Sequence, residues 1–161
     1  MERCTRLLQH PLYKEYTGRT IDAERGRIFC RHDMAHFLDT ARIGYILILE
    51  NGLPIEKELM YACALLHDAA RCEQDGGLTH EETGARLAQR LMPECGFSDD
   101  ETRTAAEAIR AHRSPPKDAG APKTLSDVLY AADKLSRRCF DCAAYDECNW
   151  QESRKNTSII Y

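Results

Sequence analysis

Apolar residues recur at three- and four-residue spacing along most of the chain, and short runs rich in Gly, Pro and Asn separate these stretches. This spacing is the period of amphipathic α-helices, whereas the strict alternation of half-buried strands is nearly absent. The pattern therefore predicts an all-α, single-domain bundle of about six to seven helices. Helices are expected over about residues 3–16, 33–51, 55–71, 80–92, 99–113 and 124–138.

Start and stop signals support these boundaries. Thr79 with Glu82, and Ser98 with Glu101, match the capping box, in which two side chains satisfy free amides at a helix start. Glycines favour the turns that follow a helix. Loops are accordingly expected at Gly18, Gly26, Gly76 and Gly77.

Composition indicates one globular domain. The chain has 161 residues, of which 43% are hydrophobic and 30% charged, which is close to the globular average and unlike disordered or fibrous proteins. Lys and Arg number 22 against 26 Asp and Glu, for a net charge of -4. This balance argues against an extended nucleic-acid surface, so any phosphate must be bound locally.

The sequence divides into three parts of one domain. Residues 1–29 carry a helix and a loop, residues 30–138 form the helical core, and residues 139–161 are a Cys-containing tail expected to pack on it. The longest apolar runs, over 43–49 and 59–66, are far shorter than the ~20 residues that span a bilayer. No export signal is evident at the N-terminus, so we predict a cytoplasmic protein without membrane contact. Assembly into a homo-oligomer is left open.

Polar residues stand at unusual positions in this pattern. The helix over 55–71 is apolar nearly all round between Leu59 and Leu66, which predicts a buried central helix. His67 and Asp68 follow directly. An ionised aspartate in such a setting is costly unless it is paired, hydrogen-bonded or bound to a metal.

The same anomaly recurs on other helices. His112 continues the apolar stripe of Ala105, Ala108 and Ile109 at helical spacing. Any one such histidine is readily explained as a hydrogen-bonded core residue. One metal centre would satisfy them all together, since imidazole and carboxylate are ordinary ligands of Mn, Fe, Co, Ni and Zn. The candidate ligands are His36, His67, Asp68, His80, His112 and Asp133.

The order of these residues resembles a known family. His36, then the His67-Asp68 doublet, then Asp133 is similar to the H…HD…D signature of the HD-domain metal-dependent phosphohydrolases. "LLHDAAR" at 65–71 and "YAADKLSR" at 130–137 are similar to further elements of that family. His80 and His112 match the extra ligands of its dinuclear subgroups, which include bacterial HD-type symmetrical diadenosine tetraphosphate hydrolases.

The resemblance implies a fold and a reaction. It implies an HD-type helical bundle that holds a divalent metal centre, with two ions per chain, and hydrolyses a phosphoester or phosphoanhydride. A nucleotide or another small phosphorylated metabolite is the expected substrate, and a metal-bound hydroxide the nucleophile. Asp68 is then the natural bridge between the ions. His36, His67 and Asp133 would serve the first ion, and His80 and His112 the second.

Three cations near the ligands are candidates to hold substrate phosphate. They are Arg71, Arg113 and Lys134, since guanidinium and ammonium groups bind phosphate oxygens. The alternative is that the arginines are solvated charges at helix C-termini. Arg71 is favoured because it takes the place of the family's lysine after the doublet. It joins His67 and Asp68 as the expected catalytic residues.

The segment from His32 to His36 superficially resembles the HExxH helix of zinc proteases. Asp33 stands at the place of the general base, and it is one methylene shorter than glutamate. We therefore reject this interpretation. Asp33 is expected to be an N-cap, and His32 a surface residue at a helix start or a group that supports a ligand.

The tail holds a second candidate metal site. Cys139, Cys142 and Cys148 provide a C-x2-C pair and a third thiol, most of what a zinc or iron–sulfur site requires. A fourth ligand would have to come from elsewhere in the fold. Candidates are Cys4, Cys30, Cys72 and Cys95. The alternative is a tail of reduced thiols, with Trp150 packing on the bundle.

Two other functions suit the same residues. The six-ligand pattern also resembles the mixed-valent di-iron oxygenases that share the HD fold. An inert HD core that binds a nucleotide, with the cysteine tail reporting metal or redox state, would be a sensor without catalysis.

Overall fold

The computed structural model describes residues 1–73, 77–116 and 120–161 and shows an all-α protein, as predicted. No strand occurs in these ranges. Two short 3-10 helices, Cys139–Asp141 and Glu152–Arg154, lie in the tail. The α-helices are α1 (Glu2–Gln9), α2 (Pro11–Ala23), α3 (Met34–Glu50), α4 (Lys57–Leu66), α5 (His80–Glu94), α6 (Asp99–Ala111) and α7 (Leu125–Leu135).

Side-chain caps begin most of the core helices. Asp33 caps α3 by accepting the amide of His36, as predicted. Thr79 accepts the amide of Glu82 at the start of α5, but the Glu82 carboxylate pairs with Arg86 and Arg110, so the predicted capping box is only half formed. Ser98 forms the predicted capping box with Glu101. A further capping box, Thr124 with Asp127 at the start of α7, completes the set.

The N-terminal region differs from the single predicted helix over 3–16. Two helices occupy it, because Pro11 has no amide hydrogen and cannot continue α1. His10 adopts an extended conformation, and its Nδ1 accepts the amide of Leu12 to cap α2. The expected loop at Gly18 is also wrong, since α2 continues to Ala23.

The C-terminal ends of two core helices come earlier than predicted. α4 ends at Leu66 rather than near residue 71, and the chain proceeds through turns in which the amide of Ala69 donates to Leu66 O. α7 ends at Leu135 rather than near residue 138. The tighter turns after α4 redirect the chain at the His67-Asp68 doublet. The predicted stop signal includes Gly76, which lies outside the described residues.

α4 lies at the centre of the bundle. It packs against α1, α3, α5, α6 and α7, and the small side chains Ala62, Cys63 and Ala64 are fully buried. Neighbouring helices can therefore approach α4 closely, and their polar ends meet where α4 ends. In the part of the chain that the structure describes, no helix is both long and apolar enough to span a bilayer.

Candidate metal centre

Six predicted ligands meet at the end of α4. His36 lies in the first turn of α3, His80 begins α5, His112 follows α6, and Asp133 lies in the last turn of α7. The donor atoms form three close groups, in each of which all atoms lie within 4.8 Å of one another. These groups are His32, His36 and Asp68; His36, His67 and Asp133; and Asp68, His80 and His112.

The Asp68 carboxylate stands between the groups. Its Oδ1 lies 3.4 Å from His80 Nε2 and 3.7 Å from His112 Nε2. Its Oδ2 lies 3.5 Å from His67 Nε2. On the other side of His67, His36 Nε2 lies 3.6 Å from Asp133 Oδ1. The two oxygens of Asp68 thus face different sets of imidazoles, which is the arrangement expected of a bridging ligand.

Hydrogen bonds behind the rings fix which nitrogen faces the centre. Nδ1 of His67 lies 2.7 Å from Ala64 O, and Nδ1 of His112 lies 2.6 Å from Ile109 O. We assign the ring proton to Nδ1 in both, because a carbonyl oxygen can only accept. The Nε2 atoms therefore point inward as lone pairs, the form in which imidazole binds a metal.

His36 completes this arrangement. Its Nδ1 lies 3.2 Å from Ser136 Oγ, whose hydroxyl donates to Asp133 O at 2.9 Å. The hydroxyl proton is thus used, so His36 Nδ1 donates to Ser136. Nε2 of His36 then faces Nε2 of His67 at 3.3 Å. Two lone pairs at this distance repel each other, and a cation between or beside them removes the repulsion. The donor set therefore fits a metal ion.

The buried charges are in the state that metal ligands require. Burial would raise the pKa of Asp68, but the surrounding His67, His32, His112 and Arg71 hold it well below its usual range. Burial, and secondarily His67, lowers the pKa of His36 to about 4 and that of His112 to about 4. At neutral pH the Asp68 carboxylate is therefore ionised and the imidazoles of His36 and His112 are neutral, the forms in which these groups bind a metal.

Asp133 is held ionised in a similar way. Burial opposes ionisation, but His67 and Lys134 outweigh it and lower the pKa of this carboxyl to about 2. Lys134 also forms an ion pair with Asp133. The predicted phosphate ligand Lys134 thus lies beside a candidate metal ligand.

Glu24 was missed as a member of the site, and His32 was expected on the surface or as a group that supports a ligand. His32 is not a surface residue: its side chain is 11% exposed, and its Nε2 lies 3.4 Å from Asp68 Oδ2. Glu24 accepts from His32 Nδ1 at 2.8 Å and from the His32 amide at 2.7 Å. In the sequence, the pair of histidines in the rejected protease motif was the feature that could have indicated His32 as part of the site. Glu24, the residue after α2, has no such sequence signal.

The other predicted phosphate ligands differ in position. Arg71 Nη1 lies 3.5 Å from Asp68 Oδ1 and 3.2 Å from His80 Nε2, and the side chain is 26% exposed. Arg113 is 63% exposed and pairs with Glu81 at 3.3 Å. Arg71 therefore lies within the cluster, and Arg113 lies on the surface beside it.

Helix α5 approaches the doublet closely because Gly84 has no side chain. A Cβ atom at this position would lie 3.0 Å from His67 O and 3.3 Å from Leu66 O. Backbone carbonyls cannot move aside as a flexible side chain can. Gly84 thus allows His80, one turn earlier on α5, to reach the centre.

The predicted cysteine site lies beside the metal centre. Cys139, Cys142 and Cys148 line a neighbouring cavity, one wall of which includes His36 and Ser136. Trp150 lies against the end of the bundle, with the Arg137 guanidinium 3.9 Å from the centroid of its ring.

Sequence comparisons relate the chain to known proteins. Residues 34–138 match the model of the HD domain family. An uncharacterized protein of Clostridium beijerinckii is 33% identical over 162 residues, covering 100% of both chains. A bifunctional uridylyltransferase/uridylyl-removing enzyme of Cereibacter sphaeroides is 27% identical over 145 residues. This match covers 84% of the chain but 14% of that enzyme.

A solved structure has a similar fold. A predicted HD superfamily hydrolase from an uncultured Thermotogales bacterium has a TM-score of 0.63 at 21% sequence identity. The alignment covers 89% of this chain and 79% of that one. The arrangement of helices is therefore that of an HD fold.

Proposed function

The chain belongs to the HD domain family, and on this premise we propose that it is a metal-dependent phosphohydrolase. Its proposed substrate is a phosphoester or phosphoanhydride of a nucleotide or another small phosphorylated metabolite. The observation that carries the proposal is the inward set of imidazole lone pairs. His67 and His112 donate outward to carbonyl oxygens and present Nε2 to the Asp68 carboxylate.

The ligands suit two ions. We assign His36, His67 and Asp133 to one, and His80 and His112 to the other, with Asp68 shared between them. Two divalent ions, when bound, lower the pKa of a water nucleophile and stabilise charge on phosphate oxygens. Asp68 supports this sharing because its two oxygens face different imidazoles.

Arg71 is the proposed phosphate ligand of the chain itself. Its guanidinium is held by Glu24 at 3.4 Å and Asp68 at 3.5 Å, and it remains partly exposed. A planar guanidinium fixed in this way can bind two oxygens of one phosphate without first being ordered. Lys134, which is also partly exposed, would add positive charge on the Asp133 side of the centre.

The relatives favour a nucleotide phosphoester. Removal of a uridylyl group, one of the two activities in the name of the Cereibacter sphaeroides enzyme, breaks a bond to a nucleotide phosphate. The chain spans a small part of that enzyme, so its own substrate is proposed by chemical class alone. We expect a nucleotide in which the cleaved bond joins phosphorus to oxygen.

Metal content and hydrolysis test the proposal together. We would purify the Cys139→Ser, Cys142→Ser protein anaerobically, measure metals by elemental analysis, and assay nucleotide phosphoesters and phosphoanhydrides. Two ions per chain and hydrolysis that disappears in His67→Ala and Asp68→Ala are expected. No bound metal after reconstitution with Mn, Fe, Co, Ni or Zn, or full activity in Asp68→Ala, would overturn it.

Assays of the same Cys139→Ser, Cys142→Ser variant distinguish the hydrolase from the two alternative functions. Retained iron with oxygen uptake and no hydrolysis would identify an HD-fold di-iron oxygenase. Tight nucleotide binding without turnover under every metal would identify a sensor. Either result would replace the hydrolase proposal.

A further inference from the structure

Four cysteines from separate parts of the sequence line one cavity beside the metal centre. Cys30 lies in the loop before α3, Cys139 and Cys142 lie at a 3-10 helix after α7, and Cys148 lies further along the tail. The cavity has a volume of about 350 Å³. All four cysteines are free thiols. Cys30 is exposed and the other three are half-buried, so a metal ion can reach them.

We propose that these four cysteines bind one Zn²⁺ ion as a structural site that joins the tail to the loop before α3. The C-x2-C spacing of Cys139 and Cys142 is the spacing most typical of zinc sites. The amide of Cys142 donates to Cys139 O at 3.3 Å, so the chain already turns between these two residues. Four cysteine thiolates are a complete ligand set for structural zinc.

The fold selects Cys30 as the fourth ligand. Cys4 is buried and its thiol donates to Glu58 O, and Cys95 is buried too. Cys72 contacts Thr20 on α2. Of these candidates, Cys30 lines the same cavity as the three tail cysteines, and Cys4, Cys72 and Cys95 do not line it.

The tail buries little apolar surface. In residues 139–161, Ala144 is the only apolar residue that is buried, whereas Phe140, Ile159 and Ile160 are exposed. Asn156 donates to Lys134 O and Arg137 O, both at 2.9 Å, and this attaches the tail to the end of α7. A segment without an apolar core commonly depends on a metal or disulfide for order.

Zinc binding by the four thiols has a defined charge balance. Each thiol loses its proton to solvent as its sulfur binds, so four thiols and Zn²⁺ give a site of charge -2 and four released protons. Arg31, Arg138 and Lys155 line the cavity together with Asp33, Asp39 and Asp141, so the charged side chains around the thiols are balanced. Among the described residues the close donor groups are all histidine and aspartate. No three of the four sulfurs lie within 4.8 Å of one another in this structure, so the proposal requires the tail to shift towards Cys30 when the ion binds.

The proposed site would also support the histidine centre. Cys30 is two residues from His32. Ser136 is three residues before Cys139, and its hydroxyl oxygen accepts a hydrogen bond from His36 Nδ1. Zinc held by these cysteines would therefore restrain His32 and Ser136, which both lie next to the first turn of α3. The inference does not rest on the proposed hydrolysis, because it concerns different ligands and is measured without substrate.

Cobalt and X-ray absorption test the site. We would replace zinc with Co²⁺ in the full chain under anaerobic, reducing conditions and record the thiolate-to-cobalt charge-transfer band in the near ultraviolet. The wild type should show this band with an intensity that corresponds to one thiolate-bound ion per chain, and Cys30→Ser should lose most of it. Cys72→Ser is the matched control, and it should keep the band. His67→Ala should keep it as well, which separates this site from the histidine centre.

X-ray absorption covers the case in which Cys30→Ser does not fold. It uses the His67→Ala, Asp68→Ala protein loaded with one Zn²⁺ per chain, because zinc in the histidine centre would add nitrogen and oxygen ligands to the average. Four sulfur ligands at about 2.3 Å are expected. A shell dominated by nitrogen and oxygen, or a full cobalt band in Cys30→Ser, would overturn the inference. Iron with acid-labile sulfide in place of zinc would overturn it as well. So would a disulfide between the tail cysteines that persists under reducing conditions.

Discussion

His32 Nε2 lies 3.4 Å from Asp68 Oδ2, while Nδ1 of the same ring lies 2.8 Å from Glu24 Oε1. A carboxylate behind a histidine fixes the ring and makes its free nitrogen a better ligand. Glu24, the residue after α2, therefore reaches the centre through His32. Glu24 also lies 3.4 Å from Arg71, so one carboxylate positions both a candidate ligand and the proposed phosphate ligand.

Glu24→Gln should weaken metal binding without unfolding the protein. Glutamine keeps an oxygen for His32 Nδ1 but removes the charge that polarises the ring, and the loss expected for such a partner is about 10- to 100-fold in affinity. Competition with a metal-binding dye measures this. His10→Asn is the control, because asparagine can still cap α2 and His10 pairs with Glu94 on the surface. Equal affinity in Glu24→Gln and wild type would contradict the role given to Glu24.

Arg71→Ala should raise KM for a phosphorylated substrate by about 10-fold or more, whereas Arg113→Ala should change it little. A charge-assisted hydrogen bond contributes about 1.5–3 kcal/mol, and Arg71 faces the centre while Arg113 pairs with Glu81 on the surface. Steady-state kinetics on both variants measure the difference. The assignment fails if Arg113→Ala has the larger effect on KM.

Gly84→Ala should destabilise the protein and disturb the doublet. The new methyl group would press on His67 O and Leu66 O, and overpacking of this kind costs about 1–3 kcal/mol. Gly18→Ala is the matched control, because α2 has open space at that position. Alanine there should raise the free energy of unfolding by about 0.5–1 kcal/mol. Urea unfolding and metal content measure both effects. Unchanged stability and metal content in Gly84→Ala would show that α5 can move away.

The metal-free protein should lose stability as the pH falls from about 7 to about 4. Folding lowers the pKa of His36 and His112 to about 4, whereas histidine in the unfolded chain titrates near 6.5. The unfolded chain therefore binds protons that the folded chain excludes, and acid favours unfolding. Through each histidine, the free energy of unfolding is up to about 3 kcal/mol higher at neutral pH than at a pH below the folded pKa of that histidine.

The carboxylates act in the same direction at lower pH. The pKa of Asp68 and that of Asp133 are both lowered by folding, so their contribution is present above about pH 4 and is lost below it. Denaturant unfolding of chelator-treated protein at several pH values measures the combined slope. His10→Asn should keep that slope and His112→Asn should reduce it. A flat profile between about pH 7 and pH 5 would contradict the buried neutral histidines.

The sequence by itself determined the helical class, because helical periodicity and capping are local properties. The spacing of Ala105, Ala108 and Ile109 placed His112 on a buried face before any contact was known. The apolar setting of His67 and Asp68 marked them in the same way, since a buried charge requires a partner wherever the helix lies. The early break at Pro11 was equally local, yet the periodic pattern across it concealed two helices.

Only the tertiary structure decided which distant groups complete the centre. Ser136 supports His36 across 100 residues of sequence, and Glu24 reaches His32 from another helix. Such pairs follow from how whole helices pack, which periodicity does not encode. The proposal of Cys30 as the fourth zinc ligand, in preference to three other cysteines, also depends on tertiary structure. The cavity that these thiols line forms where the tail returns to the loop before α3.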